Sequence, residues 1–284
     1  MTTPTTSQTW FITGASSGLG LGFARYALDR GYNVVATARS VAKLEALAAP
    51  ASDRLMVHKL DVTNPKDAVQ AVSAAVARFG RIDVLINNAG YGIIGAVEET
   101  SDAEFRAQMD TNFFGAVSVI RAALPHLRHQ KCGAIVNVSS FGGQMSFAGA
   151  GSYSASKFAL EGMSEALAQE VAPFGIKVMI VEPGAFRTNF SAGSLKYMPI
   201  MGDYEGSVGV MRALNRDING KQGGDPYKAG RAIDIALAGE ITPLRLQVGP
   251  DSSAAVRGHA EQLLRDLAAW EQVGADTQID AVAQ

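Results

Sequence analysis

Tyr153 and Lys157 stand four residues apart in a stretch of helical apolar spacing, so both side chains lie on one face, one turn apart. A free phenol titrates near ~10, and an ammonium ~4 Å away contributes on the order of 4 kcal/mol at an effective dielectric of ~20, or roughly three pKa units. Such a tyrosine is poised near neutrality to protonate an alkoxide or to take the proton of an alcohol. Ser140 precedes Tyr153 by 13 residues and follows a β-branched run, where its hydroxyl can hydrogen-bond a carbonyl and hold it for attack. Ser139 competes for that place.

A second constellation lies at the other end of the chain. The run Thr13-Gly14-Ala15-Ser16-Ser17-Gly18-Leu19-Gly20 follows the first predicted strand and opens a helix. Its glycines permit a tight turn, so that backbone N–H groups and the helix N-terminus can approach a pyrophosphate. An enzyme choosing NAD places an acid about 20 residues further on, at the end of the second strand. Ala38 and Arg39 stand there instead. Arg39 can fork onto a 2′-phosphate, so NADP(H) is preferred, with NAD(H) possible. Asp61, ending the third strand, can accept from an adenine amino group or can start a turn. An oxidised nicotinamide beside Tyr153 would add its positive charge to that of Lys157.

The elements that must position these groups alternate. Short β-branched runs at Trp10–Thr13, Asn33–Thr37, Leu55–Lys59, Val84–Ile86, Ala134–Val138, Lys177–Val181 and Leu244–Val248 predict seven strands. Helices are expected at Leu19–Arg30, Val41–Ala48, Pro65–Phe79, Asp102–His129 and Ser152–Ala172, the third capped by Asn64 and the last ended by Pro173 and Gly175. This is the pattern of βαβ units, a Rossmann-type doubly wound parallel sheet in a three-layer α/β/α arrangement. Near the C-terminus Val256, Ala260, Leu263, Leu264, Leu267 and Trp270 share a helical face expected to pack on the body. Residues 1–8 and 274–284 read as flexible tails, and 9–273 as one domain.

Composition narrows the function classes. With 47% hydrophobic and 18% charged residues, the 284-residue chain has apolar material for a full core. A net charge of −2 without a basic run argues against nucleic acid as a partner. The absence of a long apolar run argues against a membrane span and points to the cytoplasm, and the single Cys132 suits a reducing compartment. His126 and His129 have no third ligand near them in sequence, so no metal is expected.

Taken together, these residues resemble the short-chain dehydrogenase/reductase family in its common single-domain branch, over roughly Thr9 to Gly249. The resemblance is carried in order by Thr13–Gly20, Asp61, Asn87-Asn88-Ala89-Gly90, Asn112, Ser140, Tyr153-x-x-x-Lys157, and Pro183-Gly184 with Thr188. It implies a catalytic set of Asn112, Ser140, Tyr153 and Lys157, with Asn112 holding a water behind Lys157 and Lys157 also binding the nicotinamide ribose. It implies a cofactor cleft of Gly14, Ser16, Ser17, Gly18, Leu19, Gly20, Arg39, Asp61, Val62, Asn88, Ala89, Gly90, Tyr153, Lys157, Pro183, Gly184, Phe186 and Thr188. One departure is Ser17, where many NADP(H)-using relatives carry a basic residue, so the cofactor preference rests on Arg39.

The resemblance also implies that substrate sits over the nicotinamide, among Ile93, Ser140, Gln144, Met145 and Phe190, with residues of about 185–225 forming a lid. Those stretches are apolar, with Tyr91, Ile94, Phe141, Phe147, Tyr197, Met198 and Met201 nearby, which suits an aromatic, terpenoid or steroid-like ketone, aldehyde or alcohol. A carrier-bound 3-oxoacyl reductase and a non-catalytic dinucleotide sensor are the alternatives. A homodimer or homotetramer is implied by the same resemblance.

Overall fold

The computed structural model describes residues 7–44, 47, 53–188, 193–277 and 279. Seven strands form one parallel sheet: β1 (Thr9–Ile12), β2 (Asn33–Ala38), β3 (Leu55–Lys59), β4 (Val84–Asn87), β6 (Gly133–Val138), β7 (Ile176–Pro183) and β9 (Arg245–Val248). Their order is β3-β2-β1-β4-β6-β7-β9, with a second pair, β5 (Gly92–Ile94) and β8 (Leu195–Tyr197), outside it. Alternate residues of each strand go to opposite faces: Trp10 and Ile12 enter one buried cluster, Phe11 the other. The first cluster is closed by α1 (Gly18–Asp29) and α7 (Pro226–Ala238). The second is closed by α2 (Pro65–Phe79), α4 (Gly115–Gln130) and α5 (Gly151–Val171). Strands covered on both faces read as near-continuous apolar runs, which is why they stand out in the sequence.

The chain leaves β1 toward β2 on one side and reaches β4 on the other, so the two connections diverge above the carboxyl ends of β1 and β4. That divergence opens a crevice, the usual ligand site of an open parallel sheet.

Several expectations need correction. Val41–Lys43 is a 3-10 turn rather than the start of an α-helix, with Leu44 N–H donating to the Val41 carbonyl and Leu47 N–H to the Leu44 carbonyl. Leu44 and Leu47, three apart, are its buried anchors, and that spacing suits a three-residue turn; residues 45, 46 and 48 lie outside the described residues. The long helix expected over Asp102–His129 is α3 (Asp102–Met109) and α4, joined by a π-helical turn at Asp110–Phe114.

The C-terminal helix α8 (Pro250–Ala275) buries only Ser252. Leu263, Leu264, Leu267 and Trp270 are 54–67% exposed and do not pack on the body. The periodicity specified an apolar face without specifying a neighbour. Helix α8 ends at Ala275, within a residue of the expected start of the tail at Gly274. At the other end, Ser7 and Gln8 already bond to the body through the Gly31 carbonyl and the Asn33 N–H. No helix among the described residues is long and apolar enough to cross a membrane.

Candidate active site

Thr13 ties the first turn of the crevice together. Its hydroxyl donates to the Ile86 carbonyl at 3.4 Å and accepts from the N–H groups of Asn88 and Ala89 at 2.9 and 3.0 Å. Gly14 and Gly18 adopt φ of +65° and +56°, where a side chain would be strained. Ser17 precedes α1 in extended backbone with no side-chain cap bond, so its hydroxyl leaves the first N–H groups of the helix to another acceptor. A Cβ on Gly20 would come within 2.5 Å of both the Gly14 carbonyl oxygen and Asn88 Nδ2. These features form a cradle of the right kind for a pyrophosphate.

Gly20→Ala is therefore expected to push the turn off α1 and lower dinucleotide affinity at least tenfold, read by isothermal titration, with a stability loss of about 1–3 kcal/mol.

Asn88 serves this cradle indirectly, because its Nδ2 already donates to the carbonyls of Thr13 and Gly14 at 2.9 and 3.2 Å. Ser16 and Leu19 are half-buried, and Leu19 packs on the first core cluster. Thr188 lies across the turn, its Cβ 3.4 Å from where a Cβ of Gly18 would be. Asp251 of α8 holds the Pro183-Gly184 corner, accepting from Ala185 N–H at 2.6 Å. Sequence reasoning missed it. The Phe186 ring covers Gly224 and packs on the first core cluster, and the backbone of Ala185 and Arg187 bonds to Gly224.

Arg39 is exposed at the end of β2. Asp61 accepts from both the hydroxyl and the N–H of Thr63, which with Arg39 and Lys59 holds its carboxyl below the usual range against some burial. Its Oδ1 therefore caps a turn, the reading weighed against the adenine contact. Val62 is buried, its Cγ2 2.7 Å from where a Cβ of Gly115 would be.

Tyr153 and Lys157 sit beside this cradle. Lys157 is 5% exposed, donates to the Val138 carbonyl at 2.8 Å, and places Nζ 5.8 Å from the centre of the Tyr153 ring. A Cβ on Gly90 would lie 3.7 Å from Lys157 Nζ and 3.0 Å from Asn112 Oδ1, which puts the Asn88–Gly90 turn directly against the lysine. The two serines separate in space: Ser140 Oγ and Tyr153 Cε1 both lie 3.4 Å from the Cβ position of Gly142, whereas Ser139 Oγ faces Gly143 and Glu161. Ser140 also accepts the Gly142 N–H at 3.0 Å.

Electrostatics differ from the expectation. Burial pushes the Tyr153 phenol up, with the Ser140 hydroxyl opposing, and pushes the Lys157 ammonium down to about 8, with the Glu161 carboxylate opposing. Desolvation of two buried groups outweighs their mutual effect, so the fold alone keeps the phenol protonated.

Asn112 lies in the π-helical turn, and both ends of its amide are hydrogen-bonded. Oδ1 accepts from Tyr91 N–H at 3.0 Å, and Nδ2 donates to the Tyr91 carbonyl and to Ser156 Oγ, both at 2.9 Å. It clamps the Tyr91 loop to α5, with both Nδ2 hydrogens used and one acceptor site of Oδ1 filled. Ser156, absent from the sequence expectations, completes the clamp by donating to the Tyr153 carbonyl at 2.7 Å.

Of the residues expected around a substrate, Ile93 is fully buried within β5, which pairs laterally with β8, and lines no open surface. Gln144 donates to Glu182 Oε1 at 2.5 Å, and Met145 is half-buried. Phe190 lies outside the described residues. The segment after Pro183 is more ordered than a plain loop: it contains β8, a 3-10 turn, a second π turn and α6 (Val210–Ile218).

A buried ion pair joins that segment to the body, with Arg212 Nη2 2.7 Å from Glu99 Oε2. Burial works to raise the Glu99 carboxyl, but the N–H groups of Met201 and Ala96 and the Arg212 guanidinium hold it below the usual range. Neutralising one partner strands the other in a dry site, so Glu99→Gln is expected to lower the unfolding free energy by about 3–5 kcal/mol in denaturant titration.

The short chain dehydrogenase family model matches residues 8–197. The chain is similar to oxidoreductase BOA17 of Botryotinia fuckeliana, 40% identical over 94% of this chain and 98% of that one. It is 42% identical to a 3-ketodihydrosphingosine reductase of Bacteroides thetaiotaomicron over 86% of this chain and 88% of the relative. Among solved structures, a short-chain dehydrogenase from Streptomyces avermitilis superposes with a TM-score of 0.91 at 45% identity, covering 96% of this chain and all of that one. An alcohol dehydrogenase from Thermococcus sibiricus, complexed with 5-hydroxy-NADP, gives a TM-score of 0.70 at 25% identity, over 85% of this chain and 96% of that one.

Proposed function

We propose, from the premise that this chain belongs to the short chain dehydrogenase family and is an oxidoreductase, that it interconverts a ketone or aldehyde with an alcohol using NADP(H). The observation that carries this reading is the contiguity of three features. The glycine cradle of Gly14, Gly18 and Gly20 meets the Asn88–Gly90 turn, and that turn meets Lys157 beside Tyr153.

When bound, the nicotinamide supplies or accepts the hydride. The chain's own residues do the rest. Ser140 hydrogen-bonds the substrate oxygen and fixes it near the phenol. Tyr153, kept protonated by burial, donates its proton to the oxygen as negative charge develops there; in the alcohol direction it takes that proton. The Lys157 ammonium, aimed by the Val138 carbonyl, stabilises the phenolate left behind. Asn112 and Ser156 hold the Tyr91 loop and α5 in register around this pair.

Arg39, exposed at the end of β2 without a neighbouring acid in sequence, supports NADP(H) over NAD(H). A relative named for reducing 3-ketodihydrosphingosine supports the carbonyl half of the reaction. The apolar residues of the stretches that follow Ser140 and Pro183-Gly184, Phe141, Met145, Phe147 and Tyr197 among them, favour a hydrophobic aromatic, terpenoid or steroid-like substrate. The segment over about 185–225 acts as the lid, anchored at Glu99–Arg212, on a single domain working as a cytoplasmic homodimer or homotetramer.

The test is a panel of hydrophobic ketones and alcohols with NADPH, NADH and their oxidised forms, followed by nicotinamide absorbance. Turnover of at least one pair with NADP(H) ahead of NAD(H) is expected. A purified chain that binds neither dinucleotide overturns the reading.

A further inference from the structure

The face of α5 that carries Tyr153 and Lys157 continues into a buried acidic cluster. Glu161 stands one turn beyond Lys157 and is 4% exposed. Arg245 on β9 reaches it with Nε 3.0 Å from Oε2, and the same nitrogen lies 3.4 Å from Oε1 of Glu182 on β7. A further Arg245 nitrogen pairs with Glu165, so one guanidinium faces three carboxylates. Glu182 is the better satisfied of the two deeply buried acids, accepting from Gln144 and Gln247 at 2.5 and 2.8 Å. Glu161 lies instead with Oε1 beside Gly143 and the Ser139 hydroxyl.

We infer that Glu161 is a positioning residue for the proton-transfer pair: its carboxylate, buried one helical turn beyond Lys157 on the same face, keeps Lys157 an ammonium. The inference deepens the reading above and rests on Tyr153 and Lys157 being that pair. Lys157 is buried, and its one hydrogen-bond acceptor among the described residues is the neutral Val138 carbonyl, with the Tyr153 ring 5.8 Å away, so among the described residues no carboxylate is hydrogen-bonded to the charge to offset its lost hydration. Glu161 is the charge that acts against that loss.

The groups facing Glu161 set when it does so. Burial raises its carboxyl to about 7, Glu182 adds to this, and Ser139 and Arg245 oppose it. Burial thus works against the charged form of both groups, raising the Glu161 carboxyl and lowering the Lys157 ammonium.

The test follows the lysine directly. Lysine labelled with ¹³C at Cε is titrated by NMR in the full chain without cofactor, and the Lys157 signal is assigned by its loss in Lys157→Met. Glu161→Gln is expected to lower the Lys157 midpoint by about one pH unit. Glu182→Gln, which removes a carboxylate from the same cluster but not from the Lys157 side, is expected to leave the midpoint within about 0.3 pH units of the parent. If Glu161→Gln does not fold, Glu161→Met fills the same volume without requiring hydrogen bonds and gives the same measurement.

An unmoved midpoint in the Glu161 variant, or an equal shift in Glu182→Gln, overturns the inference. The titration needs neither substrate nor turnover, so its failure is distinct from failure of the proposed activity, which Tyr153→Phe tests.

Discussion

Tyr153→Phe is expected to lower turnover by about 10²–10⁴-fold, the range that a positioned acid–base group contributes, while NADP(H) affinity stays within about twofold. The substitution removes one oxygen and keeps the ring that packs near Lys157, so the glycine cradle and the Asn112 clamp lose no contact to a side chain. Loss of rate without loss of binding separates a proton donor from a residue that merely shapes the cleft. The measurement is kcat for a ketone found in the substrate panel, with dinucleotide binding by calorimetry alongside. A variant that retains parental turnover removes Tyr153 from the chemistry.

The pH behaviour follows from the same burial. Because the phenol is held above its ordinary range and Lys157 falls to about 8, ketone reduction should be steady below that value. It should decline as pH rises through it, when the ammonium that stabilises the phenolate is lost.

The second large effect is at Arg39. A charge-assisted hydrogen bond contributes about 1.5–3 kcal/mol, so Arg39→Ala should weaken the NADP(H) reaction by about 10–100-fold in kcat/KM with little change for NAD(H). Arg39→Asp should go further, to a preference change of about 10²–10³-fold, because a carboxylate repels a 2′-phosphate and accepts from a free ribose hydroxyl. Position 39 is the right place for the acid because it is exposed, whereas Ala38 is 6% exposed and belongs to the first core cluster. An acid at 38 would face that cluster at a cost in stability. The ratio of kcat/KM for NADPH over NADH decides the matter; an unchanged ratio in both variants removes Arg39 from cofactor choice.

Much of this architecture was legible in the chain because its signals are local. Period-two and near-continuous apolar runs located all seven strands of the main sheet, and helical spacing located α1, α2 and α5 to within a residue or two. The Asn64 cap and Pro65 start of α2 are read from two adjacent residues and are present, with Asn64 accepting from Lys66 N–H. The glycine turn and the Tyr153-x-x-x-Lys157 spacing are equally short-range, since a helix fixes what four residues do to one another.

What the sequence determined by itself is thus the set of elements, the glycine turn between β1 and α1, and the pairing of a phenol with an ammonium on one helix. The tertiary structure alone decided which residues lie beside them. It placed Ser140 toward Tyr153 and Ser139 toward Glu161, engaged the Asn112 amide with Tyr91, buried Ile93, and gathered Glu161, Glu182 and Arg245 from three separate elements. It also set the sign of the tyrosine's shift and left the apolar face of α8 uncovered. The physical reason is common to all of these. Periodicity within a segment records how its own residues are spaced, whereas desolvation, pairing and docking depend on which distant segment arrives opposite, and a single chain read in order does not carry that distance.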